Sequence, residues 1–178
     1  KNNIHYLLQI FDINNTLNEN NFWKKKKDSD HLVIVYSGNL SDTKPDLLLP
    51  QEQDIFKSVF ERDKKVNEAI ETFHYKIKNV IKSMTIAKVD IKDDKDKIAK
   101  VEGFGGKLLS GLEKKGFNQI VIKFLEIEKN IEIASATING LLLKSYRFDK
   151  YKTQIKKNSN VKLLKILDEN NIFNKSEK

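Results

Sequence analysis

Residues 146–151, Tyr-Arg-Phe-Asp-Lys-Tyr, set a guanidinium and a carboxylate among three aromatic rings. Arg62 and Arg147 are the only arginines among 33 basic side chains. A planar guanidinium stacks on rings and forks onto a carboxylate, which a compact ammonium cannot do. Arg147 and Asp149 lie two residues apart, so on a helix they would face different partners. The plainest chemistry for them is structural: an ion pair or cap at a helix end. Tyr146, Phe148 and Tyr151 would then pack inward, and the Arg147 guanidinium would be at least partly buried.

A second chemistry is open to the same region. Eight basic residues fall between Lys144 and Lys165, against the single acid Asp149. Lysines beside rings suit nucleic acid, with charge on phosphate and rings on bases. Lys144, Lys150, Lys152, Lys156 and Lys157 are the candidate contacts. Trp23 followed by Lys24–Lys27 repeats the combination on a smaller scale. The formal charge of +8 carries less weight than this clustering, because the Lys and Asn bias runs through the whole chain.

Other constellations do not complete a site. Glu102-Gly103-Phe104-Gly105-Gly106-Lys107 has glycines and a lysine, but not the spacing of a phosphate-binding loop or a dinucleotide fingerprint. Its glycines are read as letting a helix lie close to the sheet. His5, His31 and His74 are the only histidines, and no pair has zinc-ligand spacing. They are read as partly buried or surface residues without a catalytic role. Asp90, Asp93, Asp94 and Asp96 lack the glycine and trailing glutamate of a calcium loop, and Lys92, Lys95 and Lys97 neutralise them. They read as a capping run at a helix start. The chain has no cysteine, which excludes disulfides and thiolate metal sites. No apolar run is long enough to span a bilayer, and no membrane partner is expected.

The elements that must position these residues alternate between strand and helix. Strands are predicted near 4–11, 31–37, 119–125 and 161–167. His31–Ser37 is apolar without alternation, as a strand covered on both faces should be. Helices are predicted from Gln51, with Pro50 at its start, over 93–115 and over 130–146. The second of these packs through Ile98, Val101, Phe104, Leu108, Leu109 and Leu112. The third packs through Ile131, Ala134, Ile138, Leu141, Leu142 and Ser145. Residues 66–84 fit two periods. Val66, Ile70, Phe73, Ile77 and Ile81 fit a helix, while Phe73, Tyr75 and Ile77 alternate as in a strand. The chain reads as one α/β domain over 1–167, a mixed sheet with helices on both faces, followed by a polar tail or linker start at 168–178.

Gly140, Leu142, Ser145, Tyr146, Arg147, Phe148, Asp149, Lys150, Tyr151, Lys152 and Thr153 together resemble the end of the N-terminal domain of the leucine aminopeptidase (cytosol aminopeptidase) family. The resemblance implies a macro-domain-like fold and favours strands near 72–78 and 84–91. It also implies a parent metallo-aminopeptidase of the cytoplasm, assembled as a homo-hexamer. Two divalent ions, zinc or manganese, would sit in a separate catalytic domain whose glycine-rich and Asn-Thr-Asp-Ala-Glu-Gly-Arg signatures do not occur in this sequence. The expectation is therefore a chain with no catalytic residue and no cofactor or metal of its own. Its role would be architectural, with its own catalytic domain and sister subunits as partners. A nucleic-acid-binding module is the alternative. The family's Gly-Leu-Gly turn is replaced here by Ile91-Lys92-Asp93-Asp94, which removes the support for a ligand loop.

Overall fold

The computed structural model describes residues 7–11, 30–38, 40, 45, 48–89, 95–117, 119–126, 131–145 and 163–167. In chain order the elements are β1 (Leu7–Phe11), β2 (Asp30–Ser37), α1 (Pro50–Arg62) with a 3-10 turn (Asp63–Lys65), β3 (Ala69–Ile77), β4 (Val80–Val89), α2 (Lys97–Lys114), β5 (Gln119–Phe124), α3 (Ile131–Ser145) and β6 (Leu163–Leu167). The strands form one sheet in the order β1-β6-β5-β2-β4-β3. Neighbours run parallel except β3, which returns antiparallel along β4. The fold is α/β with a mixed sheet, as the alternating elements predicted.

β2 sits between β4 and β5, which explains its unbroken apolar run. Leu32, Ile34 and Tyr36 point to one face and meet Phe56, Val59 and Phe60 of α1. Val33 and Val35 point to the other and meet Val101, Phe104 and Leu108 of α2 with Ile133 and Leu141 of α3. Helices thus cover both faces. α1 starts at Pro50, whose missing N–H costs nothing in the first turn. The Glu52 carboxylate takes the Leu49 N–H at 2.9 Å and the Tyr75 hydroxyl at 2.6 Å, tying the helix start to β3.

The ambiguous stretch 66–84 is a hairpin. Two of the residues that a helix would have buried are instead in solvent: Val66 is 42% exposed and Ile81 75%. Pairing with β4 consumes the backbone groups, and Phe73 lies opposite Met84. Two helix faces also differ from the sequence reading. Ile98 lies at the rim of α2, 37% exposed, and Leu142 of α3 is 38% exposed. The inward side of α3 is made instead by Ile133, Ala134, Ala136, Thr137, Ile138, Gly140 and Leu141. Thr137 and Gly140 lie against α2, so a search for large apolar residues misses them.

The glycines of α2 require a further correction. A Cβ at Gly105 would collide with the Thr137 carbonyl oxygen and come within 3.0 Å of the Leu141 nitrogen. A Cβ at Gly140 would collide with the Glu102 carbonyl oxygen. These glycines let α2 lie close to α3, rather than to the sheet.

Candidate functional site

Of the residues singled out in sequence, Lys144 lies in the last turn of α3 and is exposed. Tyr146, Arg147, Phe148, Asp149, Lys150, Tyr151, Lys152, Lys156 and Lys157 lie outside the described residues, as do His5, Trp23–Lys27, Asp90, Asp93 and Asp94. Asp96 stands at the N-cap position of α2. No part of the aromatic–basic motif except Lys144 can be placed beside another element.

The parallel strands end together at Ser37, Val89 and Phe124, which is where open α/β sheets usually receive ligands. A small crevice of about 10 Å³, room for about one water, lies there. Val35, Tyr36 and Ser37 of β2, Val89 of β4, Phe124, Leu125, and Ile133 and Ala134 of α3 line it. Ligand pockets for drug-sized molecules usually run to about 300–1,000 Å³. This one is smaller and almost wholly apolar. Among the described residues no acid, base or nucleophile–base pair lines it.

Sequence reasoning missed two buried polar groupings. His31 is wholly buried, not partly exposed as expected. Its Nδ1 is 2.8 Å from Ser83 Oγ and its Nε2 is 2.7 Å from Thr85 Oγ1. Thr85 Oγ1 continues to Thr72 Oγ1 at 2.8 Å. The Phe117 ring stacks on the imidazole at 3.6 Å between centroids. This polar chain runs from β2 across β4 to β3 and satisfies groups that would be costly to bury alone. It could have been suspected from polar residues 31, 83 and 85 within otherwise apolar strands. His74, by contrast, is exposed on β3.

The second grouping lies under the end of α1. Asp63 is buried and accepts from Arg62 Nε at 2.8 Å and Nη2 at 3.2 Å, and Arg62 also reaches Glu71 at 2.7 Å. Lys88, buried on β4, donates to the carbonyl of Asp63 at 2.7 Å and that of Lys64 at 3.4 Å. A cation there complements the negative end of the helix. Tyr36 is the register partner of Lys88, and its buried hydroxyl has no hydrogen-bond partner among the described residues. Burial, then the nearby Asp63 charge, push the Tyr36 phenol up to about 12. Burial also raises Tyr75, helped by its bond to Glu52.

A raised phenol makes stability depend on pH in a defined direction. Below pH 10 the folded and unfolded states both keep the proton, and the contribution is complete. From pH 10 to about 12 the unfolded chain ionises first, so stability falls as pH rises. For Tyr36 the loss is about 2–3 kcal/mol across that window. Tyr36→Phe should flatten the alkaline limb of a stability–pH curve. At neutral pH it should leave the melting temperature unchanged or slightly higher, since no hydrogen bond is lost. A marked drop at pH 7 would show that the hydroxyl has a stabilising partner.

Among the described residues no group of three His, Cys, Asp or Glu gathers as a metal site, and no helix is long and apolar enough to cross a membrane. The fold and the shallow crevice define a class, an α/β sheet domain without a catalytic constellation among its described residues. The particular likeness is to a solved structure of a mutant tomato leucine aminopeptidase. It covers 93% of this chain with a TM-score of 0.51 at 14% sequence identity. The chain covers 33% of that enzyme's length, and at this identity the likeness is one of fold. No protein-family model and no curated protein matches the sequence.

Proposed function

We propose that this chain is the non-catalytic N-terminal domain of a metal-dependent leucyl aminopeptidase. The observation that carries the reading is the fold likeness, which takes in nearly all of this chain and one third of the tomato enzyme. The aromatic–basic pattern at 140–153 supports it independently. In this reading the fold is macro-domain-like and the role is architectural. The domain packs on its own catalytic domain and on sister subunits of a cytoplasmic homo-hexamer. The two divalent ions, zinc or manganese, belong to that catalytic domain. The described residues of this chain gather no ligand set for them, so no catalytic step is assigned here.

The test compares the purified chain with the same chain joined to its downstream coding sequence. The chain alone should not hydrolyse leucine p-nitroanilide and should retain no stoichiometric zinc or manganese after dialysis. The longer protein should do both. Activity in the short chain would overturn the non-catalytic assignment. A downstream sequence without metal-binding motifs would overturn the family reading.

A further inference from the structure

β3 ends the sheet on its side: one edge of it pairs with β4, and the other pairs with no strand among the described residues. It runs over Ala69–Ile77 without proline, glycine or bulge, each residue opposite one residue of β4. Natural sheets usually blunt such an edge by shortening it, bulging it or placing proline on it. Ile77 and Val80 close the two-residue turn Lys78-Asn79, so theirs is a hydrogen-bonded pair. Hydrogen-bonded pairs alternate with non-hydrogen-bonded ones along an antiparallel ladder. Glu71, Phe73, Tyr75 and Ile77 therefore spend their backbone groups on β4, while Ile70, Thr72, His74 and Lys76 aim theirs out of the sheet. No backbone bond among the described residues takes up those outward groups. Phe73 and Tyr75 pack against the α1 core but are only partly buried, and His74 and Lys76 are exposed.

We propose that this edge is a homodimer interface, in which β3 pairs antiparallel with β3 of a second copy and joins the two sheets into one. The strand is self-complementary about Phe73. A two-fold axis normal to the sheet at Phe73 sets Thr72 opposite His74 and Ile70 opposite Lys76, so every outward-facing residue meets another. On the α1 side it sets Phe73 against its own copy and Glu71 against Tyr75. No like charges are opposed, and the central aromatic pair falls at a non-hydrogen-bonded position, where side chains approach most closely. Sliding the register by two residues runs one end of the ladder into the turn or past the start of the strand, and bonds are lost. The helix beside this face leaves room. α1 packs on β2 and β4, so its two copies would stand about four strand spacings, roughly 19 Å, apart, against a helix diameter of about 10–12 Å. An extended peptide from another protein would gain the same backbone bonds, but specific strand addition also uses pockets for alternate side chains. No β3 residue lines the crevice. The interface is made from this chain's own edge and does not rest on the aminopeptidase reading.

The test uses the full chain. Light scattering across a dilution series should give a mass near twice 20.7 kDa at high concentration, falling to that of one chain on dilution. Amide exchange at Ile70, Thr72, His74 and Lys76 should slow as concentration rises, while Phe73 and Tyr75 stay protected throughout. His74→Pro removes an outward N–H and leaves the β4 ladder whole, so it should keep the native circular dichroism and abolish the dimer. The chain has no cysteine, so Phe73→Cys supplies one thiol per copy. A non-hydrogen-bonded pair holds its Cα atoms about 4.5 Å apart, within the roughly 4.4–6.8 Å that a disulfide spans. Mild oxidation should therefore link the Phe73→Cys chain into a covalent dimer and leave the Lys76→Cys chain unlinked. A single-chain mass at every concentration would overturn the proposal. So would a dimer that persists in His74→Pro, outward amides whose exchange ignores concentration, or covalent linkage of Lys76→Cys in place of Phe73→Cys.

Discussion

Gly140→Val should cost the chain at least about 3 kcal/mol and lower its melting temperature by roughly 6–12 °C. The reason is the depth of the α2–α3 contact. A Cβ at Gly140 would meet the Glu102 carbonyl oxygen, with the carbonyl carbon at 2.7 Å and Cα at 2.9 Å. All three are backbone atoms of a continuous helix, and none can rotate away as a side-chain tip could. The helices would have to separate, and Phe104, Leu108 and Leu141, now wholly buried, would lose packing along the seam. Gly105→Ala should behave similarly, for the reciprocal clash with Thr137. Gly106→Ala is the control. Its added Cβ would lie 3.8 Å from the Lys144 Cβ, an ordinary contact, and alanine favours a helix over glycine by about 0.5–1 kcal/mol. Thermal melts of the three variants should rank Gly106→Ala above the parent and the other two well below it. Equal melts would mean that α2 and α3 adjust freely.

The second large effect is expected at Lys88. Lys88→Glu would replace a cation at a helix end with an anion facing the Asp63 and Lys64 carbonyls in a buried site. An unpaired buried charge of this kind typically costs about 3–5 kcal/mol, a large fraction of the roughly 5–15 kcal/mol by which ordinary domains are stable. Lys88→Met keeps the length of the stem and should cost far less. The Asp63 carbonyl retains the Val66 N–H at 3.0 Å, so losing the ammonium does not leave it bare. Urea titrations should show Lys88→Met within about 1–2 kcal/mol of the parent and Lys88→Glu lower by about 3–5 kcal/mol. Equal and small losses for both would indicate that the Lys88 side chain swings out to solvent and carries no electrostatic role.

Much of the fold follows from local sequence. The unbroken apolar run of β2 identified a strand covered on both faces. Pro50 with Phe56, Val59 and Phe60 identified α1, and Val101, Phe104, Leu108, Leu109 and Leu112 identified the buried stripe of α2. These signals are legible because each depends only on the period at which one segment presents apolar groups to a core. The alternation of such segments was enough for an α/β sheet with helices on both faces. The absence of cysteine, of zinc-spaced histidines and of a phosphate loop likewise belongs to the sequence alone.

Tertiary structure decided what depends on contacts between segments distant in sequence. The 66–84 stretch satisfied two periods, and pairing of β3 along β4 chose the strand. The glycines of α2 gave no hint of their partner, because the Gly105 and Gly140 contacts exist only once two helices have been laid side by side. The same close approach turned the inward side of α3 toward Thr137 and Gly140 and left Leu142 at the rim. The His31–Thr85–Thr72 chain and the Lys88–Asp63 contact depend on strand register, which fixes which polar groups can satisfy one another. Periodicity is a property of one segment, whereas register and close approach are properties of a pair, and a single sequence records the first far more directly than the second.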